Sequence, residues 1–420
     1  MKKMIVRGGQ KLAGEVTIGG AKNSTVALIP AAILADTPVK LDSVPNILDV
    51  QNLMRILKAM NVESSFRHGV LEIDPTQIKE SSLPGDAIRS LRASYYFMGA
   101  LLGKFGQATV SFPGGDNIGP RPIDQHIKGF KALGAKVEED GNQVRITTGP
   151  EGLKGARVFF DLVSVGATIN VLLAAVRAKG TTIMENVARE PEIIDLATFL
   201  NNMGAKIRGA GTNEIRIQGV DRLEAKNIHT VIPDRIEAGT YLAFAAANGE
   251  GVTVKNVIPE HLDPFISKMV EMGVKLEIGE DQIYVPGGDN LKPITITTSP
   301  FPGFATDLQQ PITPLLMKAK GQSMIIDTLY PERVKHIAEM NRMGGNIASA
   351  NGVITVQESR DLHGATVDAC EIRAGVSLVG LGLMSHGTTV IENAEHILRG
   401  YDRIVEKFKG LSVDLEVVGN

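Results

Sequence analysis

The sequence has no tryptophan, a single cysteine and almost balanced charges. With only Cys370 present, no disulfide can form within the chain, which fits a reducing compartment. A formal net charge of −3 gives no general attraction to nucleic acid or to a membrane surface. Neither is therefore expected as a partner, and any bound anion must be held by local lysines and arginines.

Long apolar stretches are missing as well. No run approaches the roughly 18 apolar residues of a membrane span, and residues 1–9 contain no apolar core of signal-peptide length. The eight histidines have no cysteine or histidine partner at metal-ligand spacing. The sequence predicts a soluble cytoplasmic protein that uses neither a metal nor another cofactor.

What the sequence does contain is an internal repeat. A small-residue apolar helix, a short β-branched strand and a second helix recur, and the second helix ends at glycines 134, 204, 273 and 344, in steps of 70, 69 and 71 residues. Residues 60–62 and 410–412 occupy the equivalent places at the two ends. Six α/β modules of about 70 residues would fill the 420-residue chain, which is long enough for two domains.

Three helical segments are rich in Ala, Gly and Leu on every face. They are Ile169–Val176, Leu242–Ala247 and Val376–Met384. A helix that is apolar all round is buried on all sides. The pattern therefore predicts modules packed around central, fully buried helices.

The segment from Phe112 to Phe130 has two halves that predict different structures, a loop and a helix. Residues 113–120 include three glycines and two prolines, which suits an exposed, mobile loop. From Pro122 onward the apolar residues fall at helical spacing, with Pro122 in the first helical turn and Gly134 after the end. Arg121 would lie between loop and helix N-terminus, a favourable place to bind an anion.

This segment resembles the active-site loop of the UDP-N-acetylglucosamine 1-carboxyvinyltransferases, a branch of the enolpyruvyl transferase family. The family pattern is Pro-Gly-Gly-Cys-x-Ile-Gly-x-Arg-Pro, and Asp116 stands where that pattern has cysteine. The resemblance extends over essentially the whole chain. It implies a two-domain inside-out α/β barrel with three modules in each domain. One domain would comprise residues 22–231, with the mobile loop 112–121, and the other residues 1–21 and 232–420.

Residues 19–24, Gly-Gly-Ala-Lys-Asn-Ser, join a predicted strand to a helix. Their spacing does not match a phosphate-binding P-loop. Taken alone, they predict a glycine turn in which Asn23 or Ser24 caps a helix beginning at Thr25. The resemblance instead implies that Lys22 contacts phosphoenolpyruvate and that Asn23 contacts the sugar nucleotide.

The resemblance implies a further set of residues around the sugar nucleotide. These are Arg92, Arg121, Pro122, Ile123, Asp124, His126, Val163, Ser164, Val165, Gly166 and Leu329. Within this set, the Ser-Val-Gly loop is expected at a helix N-terminus, where a serine hydroxyl and backbone N–H groups suit a diphosphate.

Asp307 precedes an apolar helical run, so its local sequence is typical of an N-cap. The resemblance implies a different role, that of the base facing the sugar 3′-hydroxyl. It also places Arg333 in the cleft and assigns Arg121, Arg373 and Arg399 to phosphoenolpyruvate. Asp116 would donate a proton or assist product release.

The activity implied is transfer of the enolpyruvyl group of phosphoenolpyruvate to UDP-N-acetylglucosamine, the first committed step of peptidoglycan synthesis. Three alternatives remain. A 5-enolpyruvylshikimate 3-phosphate synthase shares fold and donor, but the Pro-Gly-Gly loop and residues 121–126 argue against it. A catalytically silent regulator that binds UDP-sugar is supported only by the missing cysteine. A purely structural repeat protein leaves the glycine loop and the arginines unexplained.

Overall fold

The computed structural model describes residues 1–79, 82, 83, 92–111, 118 and 121–419, and for Arg92 and Ala93 the backbone alone. The predicted mobile loop, including Asp116, lies outside the described residues apart from Ile118 and Arg121.

The α-helices among these residues alternate with short strands along the chain. They are α1 (Lys22–Ala32), α2 (Leu48–Ala59), α3 (Tyr96–Phe105), α4 (Asp124–Ala132), α5 (Val165–Ala175), α6 (Pro191–Asn202), α7 (Arg235–Asn248), α8 (Asp263–Met272), α9 (Thr313–Leu316), α10 (His336–Arg342), α11 (Ile372–Met384), α12 (Glu395–Leu398) and α13 (Ile404–Gly410). Short 3-10 helices span Arg92–Tyr95, Pro259–Leu262 and Thr306–Leu308.

The strands are short, and their outward-facing residues alternate with buried ones. They are β1 (Lys3–Arg7), β2 (Leu12–Thr17), β3 (Val39–Asp42), β4 (Glu63–Arg67), β5 (Val70–Asp74), β6 (Gln107–Ser111), β7 (Lys136–Glu139), β8 (Gln143–Thr147), β9 (Arg157–Phe159), β10 (Thr181–Glu185), β11 (Lys206–Arg208), β12 (Glu214–Gln218), β13 (His229–Thr230), β14 (Gly249–Lys255), β15 (Glu277–Ile278), β16 (Gln282–Val285), β17 (Thr295–Thr298), β18 (Gln322–Asp327), β19 (Ile347–Ala350), β20 (Val353–Gln357), β21 (Thr366–Asp368), β22 (Thr388–Glu392) and β23 (Leu415–Val418).

In the described part of the chain these strands form six sheets of one plan. Five have four strands, in the orders β13-β3-β5-β4, β11-β12-β10-β9, β15-β16-β14-β2, β17-β18-β20-β19 and β21-β22-β1-β23. Each of the five combines one parallel pair with two antiparallel pairs. The sixth, β6-β8-β7, has a parallel bridge from Ser82 to Thr109 where the others have a parallel edge strand. The prediction of six α/β modules is confirmed.

The ends of the modules explain the repeat in the sequence. Glycines 134, 204, 273 and 344 have φ of 93°, 107°, 98° and 93°, a left-handed conformation that glycine adopts without strain. At the equivalent places of the first and last modules, Asn61 and Ser412 have φ of 61° and 66°. Every module therefore turns from its second helix through one left-handed residue.

The described residues fall into two compact units, each with three of the six sheets and its own hydrophobic core. The first unit comprises the described residues of the ranges 20–115 and 121–232. The second comprises residues 1–19, Ile118 and residues 233–419. Residues 1–19 belong to it because β1 pairs with β22 and β23, and β2 pairs with β14.

The cores are built around helices that are buried on every side, as predicted. In the first unit α5 is buried from Ala167 to Ala175, and in the second unit α7 and α11 are buried from Ile236 to Asn248 and from Ile372 to Leu383. Met384, predicted to be buried with α11, is partly exposed at its end. Because each central helix is packed on all sides, the side chains of its first turn have fixed positions.

Candidate active site

In the first unit, α1 begins at Lys22, after the glycine pair and the N-cap residue Ala21. The prediction that Asn23 or Ser24 caps a helix starting at Thr25 is wrong. The backbone N–H and the hydroxyl of Thr25 both donate to the carbonyl oxygen of Ala21, at 2.9 and 2.8 Å, so the first turn closes three residues earlier. Lys22 and Asn23 therefore lie at the very start of a helix, where backbone N–H groups favour anions.

Lys22 is held by a carboxylate of the next helix. Its Nζ lies 3.7 Å from Oδ2 of Asp49, and the side chains are 15% and 0% exposed. A charge this deeply placed needs a partner, and Asp49 supplies one. The ion pair keeps the ammonium group close to the N-terminus of α1.

A second network, made of hydrogen bonds, holds α1 in place at Ser24. The sequence analysis did not predict it. The Ser24 hydroxyl donates to Asp195 of α6, and Nε2 of His229 lies 2.9 Å from the other oxygen of that carboxylate. The N–H of Ile232 also points at Asp195, at 3.4 Å. Each of these partners is 34 to 171 positions from Asp195, so no local pattern could have revealed the network.

Arg121, Pro122 and Ile123 precede α4 rather than forming its first turn. The first helical bond runs from the N–H of Ile127 to the carbonyl of Ile123, at 3.0 Å, and the helix begins at Asp124. The prediction that Pro122 lies inside the helix is wrong by two residues. Arg121 is half-buried, Asp124 is exposed and His126 is buried.

The loop Val163–Gly166 lies at a helix N-terminus, as predicted. Ser164 is the N-cap of α5, and its Oγ accepts a hydrogen bond from the N–H of Ala167 at 3.1 Å. The structure brings this turn against His126, because a Cβ on Gly166 would lie 3.0 Å from Cε1 and 3.1 Å from Nε2 of that ring. Two of the predicted sugar-nucleotide segments therefore meet in the first unit.

Of the remaining predicted residues in this unit, Arg92 begins the 3-10 helix Arg92–Tyr95, and its side chain is not among those described.

In the second unit, Asp307 lies within the 3-10 helix Thr306–Leu308, whose N-cap is Ala305. The alternative prediction that Asp307 is an N-cap is wrong. Its carboxylate, 26% exposed, instead faces two guanidinium groups: Nη1 of Arg333 at 3.0 Å and Nη2 of Arg373 at 3.5 Å. Both arginine side chains are only 3% exposed.

Glu371, which the sequence did not single out, completes this group. Arg333 donates from Nε and Nη2 to the two carboxylate oxygens of Glu371, both at 2.9 Å, in a bidentate pair. Burial disfavours the charged guanidinium, but the ion pairs with Glu371 and Asp307 outweigh it and raise the pKa of Arg333. Arg333 is therefore a permanent cation that orients Asp307.

Arg373 is the second cation of the group. It lies over the ring of Tyr401, with 5.3 Å between the guanidinium carbon and the ring centroid. Burial opposes its charge, yet the electrostatic influence of Tyr401, Asp307 and Asp234 raises the pKa of Arg373. Arg373 is therefore a second permanent cation.

Asp327, at the end of β18, fixes the loop that carries Leu329. Its Oδ1 accepts from the N–H groups of Leu329 and Tyr330 at 3.0 and 2.9 Å, and its Oδ2 accepts from the Thr306 hydroxyl at 2.7 Å. The same carboxylate thus ties the 3-10 helix of Asp307 to the loop of Leu329. Arg399 follows the short helix α12 and is half-buried.

The described residues contain no group of three or more His, Cys, Asp or Glu side chains able to hold a metal ion. Within the same described ranges, no helix combines the length and the apolar character needed to cross a membrane.

His336, at the start of α10, gives this unit a measurable acid sensitivity. The ring is fully buried, and burial together with the nearby Arg333 charge lowers the pKa of His336 to about 3. The unfolded chain binds this proton below about pH 6.5, whereas the folded chain does so only near pH 3. The stability that the neutral His336 ring contributes is therefore fully present above about pH 6.5 and decreases as the pH falls toward about 3.

We expect His336→Gln to weaken this dependence. The free energy of unfolding of the wild type should fall relative to the variant by up to about 1.4 kcal/mol for each pH unit below 6.5. Urea unfolding between pH 7 and pH 4 measures the difference, with His363→Gln as the control because His363 is exposed in the same unit. Parallel curves for wild type and His336→Gln would contradict the assignment.

Similarity to known proteins shows the family of this chain. A family model described as EPSP synthase (3-phosphoshikimate 1-carboxyvinyltransferase) matches residues 6–408. The chain belongs to this family of enolpyruvyl transferases. Among enolpyruvyl transferases of known fold, NikO from Streptomyces tendae is similar with a TM-score of 0.90 at 24% identity, over 99% of both chains. EPSP synthase from Acinetobacter baumannii is similar with a TM-score of 0.70 at 20% identity, over 100% of both chains. The predicted enolpyruvyl transferase fold is confirmed.

Two relatives within the enolpyruvyl transferases are much more similar in sequence. "UDP-N-acetylglucosamine 1-carboxyvinyltransferase 2" of Lactiplantibacillus plantarum is 63% identical over 420 residues, 100% of this chain and 99% of the relative. "UDP-N-acetylglucosamine 1-carboxyvinyltransferase" of Streptococcus pneumoniae serotype 2 is 54% identical over 418 residues, 100% of both chains.

Proposed function

We propose that this protein is a UDP-N-acetylglucosamine 1-carboxyvinyltransferase. It transfers the enolpyruvyl group of phosphoenolpyruvate to the 3′-hydroxyl of UDP-N-acetylglucosamine and releases phosphate, in the first committed step of peptidoglycan synthesis. The observation that carries this proposal is the 63% identity, over the whole chain, to a relative of that name. Both substrates are metabolites of the cytoplasm, which is where we propose that it acts.

The reaction forms a bond between the sugar oxygen and C2 of phosphoenolpyruvate and breaks the bond from C2 to the phosphate oxygen. C3 must gain a proton, the hydroxyl must lose one, and the positively charged or tetrahedral intermediate must be stabilised. The proton gained at C3 leaves again when phosphate departs. Fixed charges and one well-placed base can meet these needs.

Asp307 is the proposed base. Its support is the ion-pair group of the second unit, in which Arg333 and Arg373 hold the carboxylate in one place while 26% of the side chain stays exposed. A base must be both oriented and accessible to a hydroxyl. Glu371 keeps Arg333 in position by its bidentate pair.

Four cations are proposed to neutralise phosphoenolpyruvate: Lys22, Arg121, Arg373 and Arg399. For Lys22 the support is its place at the start of α1, where the helix dipole adds to its charge. Preorganised cations of this kind supply a large share of catalysis in many enzymes.

The sugar nucleotide is proposed to bind Asn23, Arg92, residues 121–124, His126, residues 163–166, Asp307 and Leu329. The support in the first unit is the contact of His126 with the Ser164-capped turn of α5. This is a helix N-terminus with a polar side chain beside it, a common setting for a diphosphate.

The proposed function is tested by measuring phosphate release from phosphoenolpyruvate with two acceptors. Release with UDP-N-acetylglucosamine and none with shikimate 3-phosphate is expected. The reverse result would make the protein a 5-enolpyruvylshikimate 3-phosphate synthase. Release with neither acceptor, while UDP-N-acetylglucosamine still binds, would support the silent regulator.

Arg399→Ala provides a second check in the same assay. Loss of a cation that binds the carboxylate or phosphate should raise KM for phosphoenolpyruvate about tenfold or more and change KM for the sugar nucleotide little. Arg360→Ala is the matched control, because Arg360 is an arginine of the same unit with an 80% exposed side chain. Equal effects on the two KM values would reject the proposed role.

A further inference from the structure

Asn170, in the middle of α5, makes two hydrogen bonds whose directions can be deduced from chemistry alone. The side chain is completely buried, and its Oδ1 lies 2.9 Å from the backbone nitrogen of Gly99 in α3. A backbone N–H can only donate, so the amide oxygen must face Gly99. The amide nitrogen Nδ2 therefore faces the other way.

The close approach of the two helices keeps this orientation fixed. A Cβ on Gly99 would lie 2.1 Å from the carbonyl oxygen of Asn170 and 2.8 Å from its Oδ1. Any other residue at position 99 would push the helices apart. Gly99 thus holds the side-chain amide of Asn170 in one of its two flipped states.

The other side of this amide meets His126. Nδ2 of Asn170 and Nδ1 of His126 are 2.9 Å apart. An amide NH₂ group can only donate, so Nδ1 must accept, and in a neutral imidazole the proton then resides on Nε2. A proton on both nitrogens would set two donors against each other.

Nε2 of His126 lies beside the first turn of α5. It would be 3.1 Å from a Cβ on Gly166, the second residue of that helix. Tyr95 packs against the same imidazole, with 6.2 Å between ring centroids. The proton on Nε2 is thus presented at a helix N-terminus, where donors face anions.

We propose that Asn170 is a positioning residue that fixes His126 as the Nε2–H tautomer, making it a neutral donor to the diphosphate of the bound nucleotide sugar. The part that concerns the diphosphate rests on the proposed function. Asn170 does not touch the ligand in this scheme. It acts by deciding which imidazole nitrogen can donate, since the opposite tautomer would turn a lone pair toward the phosphate oxygens.

The tautomer can be read without any ligand. In ¹⁵N-histidine-labelled wild type, long-range ¹H–¹⁵N correlation spectra should show His126 protonated at Nε2, with His126→Gln identifying its signals among the eight histidines. Asn170→Asp keeps an acceptor for Gly99 but replaces the donor with a carboxylate. Its spectrum should show a proton on Nδ1. A wild-type His126 protonated at Nδ1, or an unchanged tautomer in Asn170→Asp, would overturn the proposal.

The consequence for binding is measured by calorimetry with UDP-N-acetylglucosamine. Asn170→Asp should weaken affinity about tenfold or more, the usual loss for a hydrogen bond to a charged group. Asn52→Asp, which adds a carboxylate on α2 of the same unit, should leave it unchanged. A switched tautomer with unchanged affinity would reject the positioning role. A wild type that does not bind the nucleotide at all would reject the proposed function, while the ligand-free spectrum would still decide the tautomer.

Discussion

Asp307→Ala is expected to lower turnover by about 100- to 10,000-fold, the range that a positioned base contributes. The affinity for UDP-N-acetylglucosamine should stay nearly normal, because the proposed loss concerns proton transfer rather than binding. The effect should therefore lie in kcat, with KM for the sugar nucleotide changed little.

Both arginines keep other contacts in this variant. Removing the Asp307 carboxylate leaves Arg333 in its bidentate pair with Glu371, and Arg373 over the Tyr401 ring. Each of the two buried arginines therefore keeps at least one of its described contacts. Loss of turnover would thus report chemistry rather than collapse of the site.

The matched control is Asp361→Ala, which removes an exposed carboxylate of the same unit. Asp307→Asn adds a stricter comparison, because it keeps the shape and removes the charge. Phosphate release under saturating substrates measures all three. Near-normal turnover of Asp307→Ala would leave the aspartate with a structural role in the Arg333–Arg373 group.

Resistance to fosfomycin is the second large effect expected. The resemblance that defines the loop implies that typical members are inactivated when their loop cysteine is alkylated by the epoxide. In this chain the position is Asp116, and a carboxylate is a much poorer nucleophile toward an epoxide than a thiolate. The wild type should keep its activity, whereas Asp116→Cys should lose activity with time.

Cys370 does not compromise this test. It is the only cysteine of the chain and is half-buried. Burial, with the nearby carboxylate of Asp368, raises the pKa of Cys370 to about 12, so it stays an unreactive thiol at neutral pH. Mass spectrometry of Asp116→Cys should find the adduct at position 116 alone. Equal sensitivity of wild type and variant would contradict the prediction.

The same pair of proteins tests whether Asp116 donates a proton. A free thiol has a pKa of about 8.5 and is mostly protonated at pH 7, whereas aspartic acid, with a pKa of about 3.9, is mostly ionised. If Asp116 is the acid, activity should rise as the pH falls toward about 6, with an optimum below that of Asp116→Cys. Identical pH–rate profiles would restrict Asp116 to loop positioning or product release.

Features that repeat along the chain could be predicted from the sequence. The left-handed glycines, the fully buried helices and the six modules all follow from local conformational preference and burial, and the spacing of Gly134, Gly204, Gly273 and Gly344 was sufficient to find them. The turn at Ser164 was instead predicted through the family resemblance, because the Ser-Val-Gly tripeptide alone indicates little.

Features that depend on tertiary contact could not be predicted. Glu371 meets Arg333 from 38 residues away and Asn170 meets His126 from 44, and neither partner has a local signature. The starts of α1 and α4 were misplaced for a related reason. Helix propensity and capping preferences near Thr25 and Pro122 are weak compared with the backbone bonds that close the first turn.

The pairing of β1 has a consequence for how the protein is made. This strand lies inside its sheet, between β22 and β23, so its hydrogen-bond partners are residues 388–391 and 415–418. At a synthesis rate of about 5–20 residues per second, roughly 20–80 s pass between the synthesis of β1 and the synthesis of both neighbouring strands, β22 and β23. Residues 20–232 can meanwhile complete all three of their own sheets. The nascent chain therefore carries an unpaired apolar strand through most of translation, and slowing the ribosome would prolong its exposure to chaperones and proteases.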